Sequence, residues 1–152
     1  MRKMLICGLL MLSALVTIAQ PADGSDKKMM QALSAFSAAT LYNTYGLIGS
    51  IGDGFGSDVY DAETARNLLN AQKDLMDNLV KLTEDLTLSG TVKDSASLVY
   101  LRTATGIMKD LKEQARLMTE YTKDKKRKIL DAYEKQRNEN WKSISRLMGV
   151  PE

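Results

Sequence analysis

Histidine is absent from all 152 residues, cysteine occurs once and proline twice. Each shortage removes a class of chemistry. Without histidine there is no Ser-His or Cys-His nucleophile pair, no histidine-held haem or zinc, and no Glu-x-x-His motif of the carboxylate di-iron bundles. The single cysteine, Cys7, precedes most of the apolar run Met4 to Ile18, whereas a lipid-bearing cysteine would follow it. Disulfide and thiol chemistry are therefore not expected beyond that run. Catalysis would have to rest on carboxylates, hydroxyls, lysines or tyrosines. The sequence favours no enzyme, no catalytic residue, no cofactor and no metal.

A long hydrophobic run is lacking too. Met4 to Ile18 falls short of the roughly 20 residues needed to span a bilayer, and it follows a short basic start, Arg2 and Lys3. Thr17 to Ala19 offer the small residues that a signal peptidase reads. Residues 1–19 are expected to be a cleaved secretory signal, with an uncleaved anchor as the competing reading, and residues 20–26 a polar leader. The processed protein is then exported, to a periplasm or to the exterior. Without Arg2 and Lys3 the chain keeps 19 basic and 19 acidic residues and is formally neutral. Its halves are not: residues 20–90 carry 5 basic and 10 acidic side chains, residues 91–152 carry 14 and 9. This split suits helices that pack within one molecule or a head-to-tail pair of molecules, and gives no support to specific nucleic-acid binding.

What is present is helical periodicity. The cleanest stripe runs from Asp61 to Leu88 as Ala65, Leu68, Gln72, Leu75, Leu79, Leu82 and Leu86, with Asp58 or Asp61 as its cap and Gly90 as its stop. Before it, a helix starting near Lys27 carries Met30, Leu33, Phe36 or Ser37, Thr40 or Leu41, Thr44 or Tyr45 and Ile48 at helical spacing. A third stripe, Leu101, Ala104, Met108, Leu111, Ala115, Met118 and Thr122, opens at Asp94 or Ser95, and Gly106 within it suggests a close helix contact. The fourth is Leu130, Tyr133, Arg137, Trp141, Ile144 and Met148, ending at Gly149. Segments three and four have neither glycine nor proline between them, and as one rod they would reach roughly 80 Å at 1.5 Å per residue. Helices one and two would cover only half of that. A break near Thr122 to Lys125 is expected, giving an all-α, up-and-down four-helix bundle in residues 27–149, with continuity of helices three and four as the alternative.

Two stretches stand out as working surfaces. Gly46 to Tyr60 holds half of the glycines, which reads as a loop. Tyr42, Tyr45, Ile51 and Phe55, in and beside it, are candidate contacts for a protein partner or a second copy of the chain. Lys123, Lys125, Lys126, Arg127 and Lys128 form a basic run at a helix junction, a candidate contact for anionic lipid head groups or an acidic polymer. Weaker signals have plain explanations. A calcium loop from Asp53, Asp58, Asp61 and Glu63 matches no EF-hand spacing, and the glycines lack the Gly-Lys-Ser/Thr ending of a phosphate loop. The pairs Asp74 with Asp77 and Asp110 with Glu113 lie on faces expected to be solvated. Gln72, Arg137 and Asn140 stand at or beside apolar seams, where a polar layer fixes helix register; lining a ligand cavity is the alternative. Protein-protein interaction or self-association is thus the favoured function, ahead of anionic-surface binding and of a small-molecule site or carboxylate enzyme.

Overall fold

The computed structural model describes residues 23–150, so the expected signal segment and the start of the leader lie outside the described residues. Four helices follow one another: α1 (Asp23–Gly56), α2 (Ala62–Leu88), α3 (Ser95–Lys123) and α4 (Arg127–Met148). No strand occurs among the described residues. By compactness the chain divides into a unit ending at Leu33 and one starting at Ser34. The described part of the first is the opening of α1, on which Met29 and Leu33 are exposed. The second holds the remainder of α1 and the other three helices as a four-helix bundle.

The ends of the helices follow from local chemistry. The Asp61 carboxylate accepts from the Thr64 N–H at 2.7 Å and that of Asp94 from the Ser97 N–H at 2.8 Å, so α2 and α3 are each capped by the aspartate that precedes them. Ser89 closes α2, and Gly90 takes a left-handed turn after it, while Gly149 ends α4 in the same conformation. Asp124 to Lys126 break α3 from α4: Asp124 takes φ −140°, ψ 97° and Lys126 φ −70°, ψ 131°, both extended, and helix resumes at Arg127. Helices three and four are therefore separate.

Contacts fix the direction of each helix. Ser34 accepts from Tyr100 and Phe55 meets Tyr121, both 66 residues further along, so α1 and α3 run parallel. Gly52 lies against Tyr133, and Tyr45 against Trp141, so α1 and α4 are antiparallel. Glu84 pairs with Lys109 and Asp77 with Lys112, which makes α2 and α3 antiparallel. The packing is up-and-down. α3 lies at its centre: all seven residues of its expected stripe are buried, together with Thr105, Ile107, Gln114 and Thr119. Leu41, Ile48, Ile51 and Phe55 from α1, Leu69 and Met76 from α2, and Tyr133 and Ile144 from α4 close around it.

Three expectations need correction. Helix one begins at Asp23, within the expected leader, and continues through the glycine segment to Gly56, so only Ser57 to Asp61 link it to α2. The inward face of α2 is rotated from the expected stripe: Ala65 of that stripe is buried and Gln72, Leu79 and Leu86 are half-buried, but Leu69 and Met76 from outside it are buried while Leu68, Leu75 and Leu82 are exposed, the last at 64%. Its apolar arc is wider than α3 covers, and the bridges from Asp77 and Glu84, with the Thr105 to Thr83 hydroxyl bond at 2.9 Å, mark the side that α3 takes. Gly106 makes no close contact; it is exposed, and a Cβ there would enter open space.

Candidate interaction surfaces

Five glycines in eleven residues should end a helix, and two of them show why this one survives. Gly49 and Gly52 are buried on the side of α1 that meets α4. A Cβ on Gly52 would come to 3.0 Å from the Tyr133 hydroxyl and 3.4 Å from the Met118 sulfur; one on Gly49 would come to 3.0 Å from the Arg137 guanidinium. Large α4 side chains thus lie over bare α1 backbone, and tertiary packing outweighs the helix-propensity cost of about 1 kcal/mol per glycine. Gly54 serves the turn: the Val59 and Tyr60 N–H groups both donate to its carbonyl, and the Tyr60 ring lies over it.

This geometry separates the four candidate partner residues. Ile51 and Phe55 point into the core, at 1% and 4% exposure, and form no surface patch. Tyr45 is half-buried with its ring 5.7 Å from that of Trp141, and Tyr42 is exposed with its ring 6.3 Å from the same indole. Trp141 therefore packs on α1 tyrosines. Arg137 reaches Asp53 at 3.3 Å.

What the outward side of α1 shows is different from any other helix of the bundle. Phe36 is 74% exposed and Leu47 46%, and Ala39, Asn43, Gly46 and Ser50 share that side. No residue from Met29 to Gly52 is charged. A water-facing helix ordinarily carries its charges outward. The glycines drew attention to the C-terminal part of this stretch as a loop; the missing signal was the charge gap, which becomes meaningful once the segment is known to be helical. A second apolar row, Leu68, Leu75 and Leu82, lies seven residues apart along exposed α2.

The basic run lies at the C-terminal end of α1, beside the glycine segment. Lys123, Lys125, Lys126, Arg127 and Lys128 are all exposed. Lys126 pairs with Asp124 at 2.6 Å, and Arg127 with Asp131 at 2.8 Å. The Lys125 ammonium lies 4.8 Å from the centre of the Phe55 ring, whose edge meets Tyr121. The two regions singled out from the sequence are thereby joined at Phe55.

Comparison with family models, curated proteins and solved structures finds no match. The chemistry rests on this chain alone.

Of the polar residues at the seams, Asn140 joins a buried hydrogen-bonded cluster between α3 and α4. The buried Asn140 amide donates to the Gln114 carbonyl oxygen at 2.8 Å and to the Asp110 backbone carbonyl at 3.1 Å, and its own oxygen accepts from Gln136 at 2.9 Å. Gln114, fully buried, has no counterpart in the sequence reading, because its neighbours on the stripe are apolar. Nearby the Tyr133 hydroxyl is enclosed, and burial pushes its pKa up to about 12. Among the described residues neither it nor the Gln114 amide nitrogen has a hydrogen-bond partner, although the two groups lie near each other. Gln72 is half-buried on α2.

The carboxylates are mostly engaged by cations or caps. Asp77 holds Lys112 at 2.5 Å, Glu113 holds Arg116 at 2.6 Å, Asp53 holds Arg137 and Asp61 caps α2. Asp110 differs: burial first, then the neighbouring charge of Glu139, raises its pKa. It lines an open groove of about 470 Å³ between α3 and α4, beside Val99, Ile107 and Leu147. Among the described residues no group of three or more His, Cys, Asp or Glu is arranged to hold a metal ion, and no helix is long and apolar enough to cross a membrane.

Proposed function

We propose that the chain is an exported, non-catalytic interaction protein that binds a protein partner or a second copy of itself through the outward face of α1. One observation carries this reading: the charge-free stretch Met29 to Gly52 in a chain where 26% of residues are charged, with Phe36 and Leu47 set on its water-facing side. A water-facing helix side ordinarily carries charge, and this one carries none. Of the residues first considered, Tyr42 borders the face, Tyr45 supports it from beneath, and Ile51 and Phe55 hold the helix onto the bundle. Export rests on the signal-like residues 1–19.

The test compares the tagged wild-type chain with a Phe36→Asp, Leu47→Asp double variant, by sedimentation velocity on the purified proteins and by affinity capture from the source cells. The wild type is expected to self-associate or to retain one specific protein, and the variant to lose that association while keeping its helical circular dichroism and melting temperature. Association unchanged in the double variant would overturn the assignment.

A further inference from the structure

The exposed leucine row of α2 has a register of its own. Leu68, Leu75 and Leu82 recur every seven residues at 38%, 41% and 64% exposure, and Ala71 and Asn78, also exposed, lie three residues after the first two. This alternation of three and four makes a seam of the kind that a second helix covers. α3 does not cover it, because the bonds from Asp77, Thr83 and Glu84 place α3 on the opposite side of the helix. Asp74 and Lys81 flank the seam along one edge. They are seven residues apart and exposed, and neither has a hydrogen bond or ion pair among the described residues. The other edge, Gln72 and Leu79, is half-buried and uncharged. We infer that a second copy of the chain covers this seam, α2 lying antiparallel on α2 about a two-fold axis between Met76 and Asp77.

Charge selects the occupant, its direction and its register. Antiparallel helices bring like edges of their seams together, so the edge with Asp74 and Lys81 meets the same edge of the second copy. With Leu75 opposite Asn78 and Leu82 opposite Ala71, Asp74 of each copy meets Lys81 of the other. One unpaired couple thereby makes two ion pairs, as a self-complementary two-fold contact requires. A shift of one heptad in either direction would set Asp74 against Asp74 or Lys81 against Lys81, and repulsion disfavours both. A parallel pair would lay the charged edge on the uncharged one and leave all four ions without partners. Leu68 falls opposite Asp85 at each open end, where the carboxylate stays in water. The seam uses no residue of α1, so the pair and the α1 contact are separate associations and each can fail without the other.

The test mixes isotopically light and heavy batches of the full chain and treats them with a carbodiimide, which joins a carboxylate to an ammonium group in contact with it. A peptide linking Asp74 to Lys81 with one light and one heavy half is expected; within one helix the two are about 10 Å apart along the axis, too far for this reagent. By sedimentation, Asp74→Lys or Lys81→Asp alone should raise the Kd of the pair about tenfold, and the two changes together should return it to within about threefold of wild type. Leu75→Gln with Leu82→Gln should abolish the pair and leave the helical circular dichroism unchanged. Phe36→Asp with Leu47→Asp should lose the α1 association and keep the mixed-isotope link. A monomeric wild type, no mixed-isotope link, or a pair that survives the leucine changes would overturn the inference. So would a charge swap no better than either single change, or a different protein joined to Lys81 when source cells are treated with the same reagent.

Discussion

Alanine at four glycines, three on α1 and one on α3, separates what each glycine does. Gly46 and Gly106 are exposed within helices, and a Cβ at either meets nothing within 4 Å. Each Gly→Ala change should therefore return the full helix-propensity gain, about 1 kcal/mol, or 2–4 °C in melting temperature for a domain of this size. At Gly52 the same gain is opposed by contact at 3.0 Å with the enclosed Tyr133 hydroxyl and at 3.4 Å with Met118. Overpacking of this kind costs about 1–3 kcal/mol, so Gly52→Ala should be neutral or destabilising by up to about 2 kcal/mol. Gly49 is intermediate, since the atoms in the way belong to Arg137, a long side chain that can shift; the gain and the disturbed Asp53 pair should nearly cancel. Thermal and urea unfolding of the four variants gives the order Gly46 and Gly106 above Gly49, and Gly49 above Gly52. A Gly52→Ala protein as stabilised as Gly46→Ala would refute the close packing of α4 on bare α1 backbone.

Three further expectations follow from the interior and the caps. Leu69→Ala should cost about 2–5 kcal/mol and Leu68→Ala well under half of that in chemical unfolding, because only Leu69 is fully buried; the reverse order would restore the simpler leucine stripe. Tyr133→Phe removes an unpartnered buried hydroxyl and should leave stability unchanged or raise it by about 1 kcal/mol in urea unfolding, whereas a clear loss would mean that the hydroxyl is hydrogen-bonded. In acid, two effects oppose each other. Asp61 and Asp94 are held below 3.8 by hydrogen bonds from Thr64 and Ser97, so the stability they contribute is present above 3.8 and is lost as pH falls through their folded values. Asp110 is raised, so its charge costs stability at neutral pH and the cost disappears on protonation. Asp110→Asn should accordingly raise the melting temperature at neutral pH, with the difference vanishing at about pH 3.

The helical fold, the capping aspartates and the α3 stripe were legible because each is a local signal with one dominant cause. Leu101 to Thr122 repeats without a competing row, and Asp61 and Asp94 each precede a periodic segment. The break at Asp124 was placed correctly by asking what would cover a single rod. Where the sequence reading failed, the deciding cause was non-local. Gly49 and Gly52 argue for a loop until Arg137 and Tyr133 are brought against them. On α2, Ala65 of the expected stripe is buried, yet Leu69 and Met76 from outside it are buried where Leu68, Leu75 and Leu82 are exposed. Of the candidate surface residues, Ile51 and Phe55 were displaced inward by the same continuation of α1. The basic junction kept its place because charged residues at a helix break remain in water whatever packs behind them.

The central claim is that the outward face of α1 is a contact surface. Its most direct test is photo-crosslinking in living source cells, with a benzophenone amino acid in place of Leu47 on α1 and, separately, of Lys135 on α4, another exposed position. A discrete crosslinked species from position 47, absent from position 135 and identified by mass spectrometry as one protein or a second copy of the chain, is the predicted result. No adduct at 47, or the same adducts from both positions, would contradict it.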